Sequence, residues 1–229
     1  MISEREILIS ILNLTRDGSA DVKEIIREVR IPSEVVCQVL DRNVQSGLIH
    51  LSGSRISVTS EQRLRIAIKA LDLGADIERI CKYLGWEEFE DISTLAFEMN
   101  GFVVKKHFRF SCDGRRYEID LLALKRPFVI CADCKQWRRG WMGLPSRKAA
   151  EKQVQRTKSL AENSLGMLKK IGIEKWSSAC FIPLIISLFP SESAFCKNVP
   201  IVPIIQLRSF IQDMLAYVDE FEHYWISIR

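Results

Sequence analysis

The sequence lacks several features that would place the protein outside the ordinary globular class. No apolar run is long enough to cross a membrane, because residues 181–189 are too few and contain Pro183. The sequence also has no internal repeats, no low-complexity segments and no linker rich in Pro or Ser. With 47% hydrophobic and 27% charged residues over 229 positions, the composition predicts a folded chain of one large domain or two smaller ones.

We also expect no signal peptide, because Met1 is followed closely by the charged and polar residues 3–6. The seven cysteines are an odd number, which favours a reduced setting, and we expect a cytoplasmic protein with no membrane partner. Cys131 and Cys134 form a C-x-x-C. Their spacing in a strand would send them to opposite faces, and no second pair lies nearby, so we do not expect these thiols to bind a metal.

Residues 1–60 predict three helices followed by a short β-ribbon. Ser33 is a good N-cap for the third helix, and Gly53 lies in the turn of the ribbon. The helices are expected over residues 4–14, 20–29 and 33–45, and the strands over 48–51 and 55–59. This order is similar to winged-helix domains of archaeal and bacterial regulators. The third helix would enter the major groove of DNA, but its charged residues Glu34, Asp41 and Arg42 bind phosphate poorly as a set. Contact with protein therefore remains as open as DNA recognition.

The rest of the chain predicts a helical connector over residues 61–85 and a larger α/β domain over residues 86–229. In the larger domain, apolar strands alternate with helices, which indicates an α/β/α sandwich around one mixed sheet. We predict helices over residues 86–100 and 147–168 and from 209 to about 217, and strands over 102–110, 119–124, 128–134, 180–188 and 202–207.

Residues 117–137 carry charged side chains inside two strands that are otherwise apolar. Asp133 and Lys135 are two positions apart and therefore point to the same face, with Asp120 on the preceding strand. Carboxylates from two neighbouring strands can hold Mg²⁺ while water and phosphate fill its other positions. Two alternatives stay open: Asp133 and Lys135 could form a surface ion pair on an edge strand, and Glu118 could replace Asp120 as the strand acid.

An acid on one strand followed by Asp-x-Lys on the next resembles the PD-(D/E)XK nuclease superfamily, with its restriction-endonuclease-like fold. The hairpin is similar to that of archaeal Holliday-junction resolvases, and the ending Lys135-Gln136-Trp137 is similar to Mrr-type restriction endonucleases. Phe89-Glu90 ahead of Gly101-Phe102 matches the helix acid of these families. The chain departs from the pattern at Ile119, where proline is usual.

This resemblance implies a Mg²⁺- or Mn²⁺-dependent endonuclease. Asp120, Asp133 and the backbone carbonyl of Cys134 would be the metal ligands, and Glu90 would assist directly or through water. Lys135 would position the attacking water or stabilise negative charge in the transition state. Glu90 has a simpler alternative as a solvated side chain, because two further glutamates precede it.

A basic segment follows Lys135 and is the expected nucleic-acid contact. Residues 135–158 hold eight basic side chains and one acid, Glu151. Basic residues at four-residue spacing on the long helix form a stripe suited to phosphate contacts, although a solvated helix face is the alternative. The predicted contacts are Arg138, Arg139, Arg147, Lys148, Lys152 and Arg156. Gln153 or Gln155 could correspond to the polar residue that related nucleases carry on this helix.

The leading hypothesis is a metal-dependent DNA endonuclease acting in restriction, repair or branched-DNA processing. No small-molecule cofactor is expected. A homodimer with two sites would suit the two strands of a duplex. The alternatives are a winged-helix regulator whose nuclease-like domain is inactive and an RNA-directed nuclease of the same fold.

Overall fold

The protein forms two compact units, residues 1–91 and 92–229. The structure, a computed structural model, describes residues 2–135, 144–188 and 193–228. The predicted connector, residues 61–85, lies within the first unit, and one helix runs across the boundary between the units. No helix in the described ranges combines the length and the apolar character needed to cross a membrane.

The first unit packs helices around a fully buried apolar stripe on its first helix, and a three-stranded antiparallel sheet has the order β1-β3-β2. The stripe has the i, i+4 spacing of a helix face that is turned to the core: Ile7, Leu8, Ile11 and Leu12. Helices α4 and α5 both contact α1. The elements are α1 (Ile2–Leu14), β1 (Ala20–Asp21), α2 (Val22–Val29), α3 (Ser33–Gln45), β2 (His50–Ser52), β3 (Arg55–Ser57), α4 (Ser60–Asp72), α5 (Ile77–Tyr83) and α6 (Trp86–Glu98).

The start of the second helix and the cap of the third helix differ from the sequence prediction. The second helix begins at Val22 rather than at residue 20, because the Asp21 side chain accepts from the Lys23 N–H and the Glu24 carboxylate accepts from the Asp21 N–H. The two residues before it pair with β3 instead. The prediction of Ser33 as an N-cap was wrong, since α3 begins at Ser33 and Pro32 occupies the cap position.

The second unit is built on a mixed sheet of seven strands, as predicted for the α/β class. Its strands follow the order β4-β5-β6-β7-β9-β8, and β10 pairs with β7. The elements after α6 are β4 (Val103–Cys112), β5 (Arg115–Lys125), β6 (Phe128–Lys135), α7 (Leu144–Glu162), α8 (Leu168–Ile171), β7 (Ser178–Ser187), β8 (Phe195–Cys196), β9 (Val199–Pro203), α9 (Leu207–Asp213) and β10 (Tyr224–Ser227).

Strand β6 lies in the interior of the sheet. It pairs antiparallel with β5 as far as Ala132 and parallel with β7 along its whole length, and Asp133 is 3% exposed, so a surface ion pair on an edge strand is wrong for Asp133. Strand β7 has β6 along one side, while its other side pairs first with β10 and then with β9. Both faces of the central strands are buried, with Leu122 and Cys131 on one face and Ala123 and Ile130 on the other.

Helix α7 covers one face of this sheet. Its residues Leu160 and Ala161 pack with Leu122, Cys131 and Phe181 in one buried cluster. Ala150 packs with residues of β7 and β9 in another. Helix α7 ends at Glu162, earlier than the predicted 168, and is followed by a 3₁₀ turn at Ser164–Met167. These contacts place the polar side chains of α7 against the carboxyl-terminal half of β6.

Four C-terminal elements also differ from the prediction. The strand expected over residues 202–207 is β9 (Val199–Pro203), because Pro203 has no N–H to continue the ladder and a 3₁₀ turn begins at Ile204. Helix α9 therefore begins at Leu207, two residues before the predicted cap Ser209. Strands β8 and β10, each of four residues or fewer, were not predicted.

Candidate active site on the central strands

Asp120 sits where the pairing of β5 changes. Its carboxylate oxygen Oδ2 accepts a hydrogen bond of 2.8 Å from the backbone N–H of Cys134. The β5–β6 register ends at Leu121 and Ala132, so the next pair outward would be Asp120 and Asp133. The side chain of Asp120 thus accepts a hydrogen bond from the backbone of β6 where the strand pairing has ended, and it lies against the peptide that joins Asp133 to Cys134.

The neighbouring strand β4 is irregular at the same level. The register pairs Lys106 with Leu121 and Phe108 with Ile119, so His107 and Asp120 occupy the intervening positions. His107 has a φ of 50°, in the left-handed region that residues other than glycine rarely adopt. A change of backbone direction on β4 therefore accompanies the change of pairing at Asp120.

Asp133 is the most enclosed carboxylate of the site, with 3% of its surface exposed. Its Oδ2 lies 2.7 Å from Lys135 Nζ, and its Oδ1 lies 2.8 Å from Arg156 Nη1. The two cationic side chains are each 28% exposed. A buried carboxylate is costly unless it is paired, and these two partners satisfy one oxygen each.

Gln153 connects α7 to β6 beside this ion-pair network. It is fully buried, and its Nε2 donates a hydrogen bond of 2.6 Å to the carbonyl of Cys131. Its Oε1 lies 3.4 Å from Arg156 Nη1. Gln155, the alternative that the sequence left open, is exposed on the helix. The structure therefore brings Gln153, and not Gln155, to the Asp-x-Lys strand.

Glu118, the rival strand acid, has other partners. It is half-exposed, accepts a hydrogen bond of 2.8 Å from Arg109 Nε and lies 3.3 Å from His107 Nδ1. The hydrogen bond from the Arg109 guanidinium lowers the pKa of the Glu118 carboxyl. Asp120 is the acid of β5 that contacts the Asp-x-Lys segment.

Glu90 lies in the first unit, on α6, and none of its surface is exposed. Its Oε1 accepts a hydrogen bond from the indole Nε1 of Trp86. A solvated glutamate is therefore wrong for this position. A catalytic role for Glu90 stays a prediction.

The predicted nucleic-acid contacts fall into different settings. Arg147, Lys148 and Lys152 are exposed on α7. Glu151, between them, contacts both Arg147 and Lys197, and the hydrogen bond from Lys197 lowers the pKa of its carboxyl. Arg138 and Arg139 lie outside the described residues, as do Gln136 and Trp137.

Arg156 departs from the exposed stripe to which the sequence assigned it. Four residues turn a helix by about 400°, so each step of four shifts a side chain by roughly 40° around the axis. Two such steps separate Lys148 from Arg156, and this drift carries the guanidinium from the outer face to the border with the sheet. The signal was present in the sequence as Gln153 and Arg156, which are three apart and so share a helix face.

The donor set suits a hard divalent cation held in part by water and phosphate. Within the described residues, no group of three or more His, Cys, Asp and Glu side chains could hold a metal. Mg²⁺, however, is usually bound through one or two carboxylates together with waters and substrate phosphate, and Asp120 and Asp133 flank one peptide. The Cys131 and Cys134 thiols form no disulfide and are buried, and burial raises the pKa of the Cys131 thiol to about 12, which opposes metal binding.

Comparisons with known proteins found distant similarities. No family model matches the chain. An uncharacterized protein of Archaeoglobus fulgidus is 28% identical over 137 residues, which cover 59% of this chain and 96% of that protein. The crystal structure of protein VC1899 from Vibrio cholerae aligns with a TM-score of 0.40 and 10% identity over 95% of this chain. The chain spans about half the length of the Vibrio protein, 51%, and neither similarity assigns a function.

Proposed function

We propose that the protein is a metal-dependent endonuclease of the PD-(D/E)XK type that hydrolyses phosphodiester bonds in DNA. The observation that carries this proposal is the convergence of Asp120 on the Asp133–Cys134 peptide, with Lys135 Nζ 2.7 Å from Asp133. An acid, an Asp and a Lys from two paired strands are the residues that the resemblance requires. Their position on interior strands with two buried faces supports a restriction-endonuclease-like core.

The roles of the residues follow from their chemistry. Asp120 and Asp133 would hold the metal ion, with the Cys134 carbonyl as a third ligand. A bound Mg²⁺ or Mn²⁺ would polarise the scissile phosphate and lower the pKa of a bound water. The Lys135 ammonium would stabilise the negative charge that develops on the phosphate oxygens. The exposed cations of α7 would contact the backbone of the substrate.

The first unit supports a second part of the proposal. The order α1-β1-α2-α3-β2-β3, with β3 between β1 and β2, supports the proposal that this unit is a winged-helix domain. Its third helix keeps the acidic residues Glu34 and Asp41 exposed. The proposal for this unit therefore includes contact with a protein and contact with DNA as equal alternatives.

An inactive nucleic-acid-binding protein is the second candidate. The observation in its favour is that both oxygens of Asp133 already contact a cation, Lys135 or Arg156. A carboxylate that is neutralised in this way could serve the fold alone. Metal-dependent cleavage distinguishes the two candidates.

The test is a cleavage assay on duplex DNA, branched DNA and structured RNA with Mg²⁺, Mn²⁺ or EDTA. We expect strand cleavage that requires the metal and that is lost in Asp133→Asn and Lys135→Ala, while binding measured by gel shift persists. Glu118→Gln is the matched control, since it removes an acid from the same strand outside the Asp-x-Lys contacts. Binding without cleavage under every condition would favour the inactive protein, and cleavage restricted to RNA would change the substrate class.

A further inference from the structure

Arg156 occupies one oxygen of the carboxylate that the metal would need. Its Nη1 lies 2.8 Å from Asp133 Oδ1, and the opposite oxygen contacts Lys135. Both of the described contacts of Arg156 are within the site, to Asp133 and to Gln153. The guanidinium is a planar cation whose N–H groups suit carboxylate and phosphate oxygens alike.

Arg156 lies beside a second contact between α7 and β6, which is made by Gln153. On β6, Cys131 and Asp133 are two residues apart, which is about 6.6 Å along one face of a strand. On α7, Gln153 and Arg156 are three residues apart on one face of a helix. Gln153 donates to the Cys131 carbonyl while Arg156 donates to Asp133, so the helix and the strand meet at two consecutive points. The arginine is thus held on Asp133 by a buried anchor one helical turn away.

The charge of the cluster changes with its ligands. The two carboxylates and the two cations balance, so the cluster is neutral without a metal. A divalent ion on Asp133 would lie close to the guanidinium, and two positive charges that lie close together repel each other. A phosphodiester brings a negative charge, and a guanidinium binds phosphate oxygens as well as it binds a carboxylate.

We propose that Arg156 competes with the metal ion for the carboxylate of Asp133. When a substrate phosphate binds the guanidinium, Arg156 releases Asp133, so that divalent metal and nucleic acid bind cooperatively. This inference rests on the proposed function. Arg156 is then a positioning residue with two partners, Asp133 in the free protein and a phosphate in the complex. By linkage, the factor by which the metal strengthens nucleic-acid binding equals the factor by which nucleic acid strengthens metal binding.

The test measures Mn²⁺ binding to the full chain by isothermal titration calorimetry, without nucleic acid and without a cleavage readout. Arg156→Gln should bind Mn²⁺ at least about tenfold more tightly than the wild type, because one repelling charge and one competing contact are removed. Arg156→Lys should lie between the two. Lys158→Gln is the matched control, since it removes a cation from the same helix that contacts Glu162 rather than the site, and it should leave Mn²⁺ affinity unchanged.

A second titration tests the coupling to phosphate. A short duplex DNA with a phosphorothioate backbone, which resists hydrolysis, should tighten Mn²⁺ binding to the wild type by about tenfold and to Arg156→Gln by much less. Thermal unfolding of each variant, with and without Mn²⁺, confirms that the folded protein is titrated and gives a second readout of binding.

The outcomes separate the inference from the function on which it rests. If Mn²⁺ binds Arg156→Gln no more tightly than the wild type, or if the DNA strengthens Mn²⁺ binding equally in both proteins, Arg156 does not compete for Asp133. That result overturns the inference and leaves the proposed function standing. If neither protein binds Mn²⁺ with or without the DNA, the metal-dependent function fails as well.

Discussion

Replacement of Asp120 by asparagine should separate the structural role of this side chain from its chemical role. Oδ2 of Asp120 accepts from the Cys134 N–H at 2.8 Å, and an asparagine carbonyl can accept the same bond. Hydrogen bonds to a charged acceptor contribute about 1.5–3 kcal/mol and neutral bonds about 0.5–1.5 kcal/mol. The difference predicts that Asp120→Asn lowers the free energy of unfolding by about 1 kcal/mol.

Asp120→Ala should cost more, because it leaves the Cys134 N–H without this acceptor. A donor that loses its acceptor inside a protein costs about 1–3 kcal/mol. Cleavage should fall by at least about a hundredfold in both Asp120 variants, since each loses the charge of a proposed metal ligand, and even partners outside the ligand shell change metal affinity by about 10–100-fold. The two Asp120 variants should therefore differ in the free energy of unfolding but share the same loss of cleavage.

The assay combines urea unfolding followed by tryptophan fluorescence with cleavage at a fixed Mn²⁺ concentration. Glu118→Gln serves as the control, because that side chain is 41% exposed and contacts Arg109 and His107. Exposed pairs of this kind contribute about 0–1 kcal/mol, and its cleavage should stay within about twofold of the wild type. Wild-type cleavage by Asp120→Asn together with loss of cleavage in Glu118→Gln would refute the reasoning and make Glu118 the strand acid.

Three further predictions concern other parts of the chain. Arg63→Met should lower the free energy of unfolding by about 3–5 kcal/mol, because it strands the buried Glu88, 2.7 Å from Arg63 Nε, and the double variant with Glu88→Leu should recover part of this loss in the same urea titration. Ellman's reagent should label the exposed Cys37 rapidly and the buried Cys131 only on unfolding, and equal rates would contradict the burial. Lys152→Gln should reduce the slope of log K against log salt by about 0.9 if Lys152 contacts a phosphate of duplex DNA, and an unchanged slope would remove it from the interface.

The local pattern around β6 was sufficient to predict the strand and its polar face. Six consecutive residues of β6 are buried, and a strand of that composition has few alternatives. Asp133 and Lys135 share a face because of the two-residue period alone, and the structure places their charged groups 2.7 Å apart. The prediction worked because both the strand and the spacing are local properties of the sequence.

Features that depend on distant partners were not predictable in the same way. Strand β10 has four residues. Its pairing with Phe181 at the start of β7 is a long-range contact that no local sequence pattern predicts. The irregular backbone at His107 is matched to Asp120 thirteen positions later. The position of Arg156 required the rotation of α7 on the sheet, which is set by packing of residues such as Leu160 rather than by charge spacing.

The same rotation of α7 gives the basic residues of one helix two different environments. Lys148 and Lys152 face solvent, where a long polyanion can reach them, while Arg156 reaches the buried carboxylate of Asp133 two turns later. A bound backbone that follows the helix from its exposed end would approach Arg156 last, beside the strand acids. Under the proposed function, these contacts would be ordered by burial: weak, screened phosphate contacts would come first, and exchange of the Asp133 ion pair for a phosphate would follow where water is least able to screen charge.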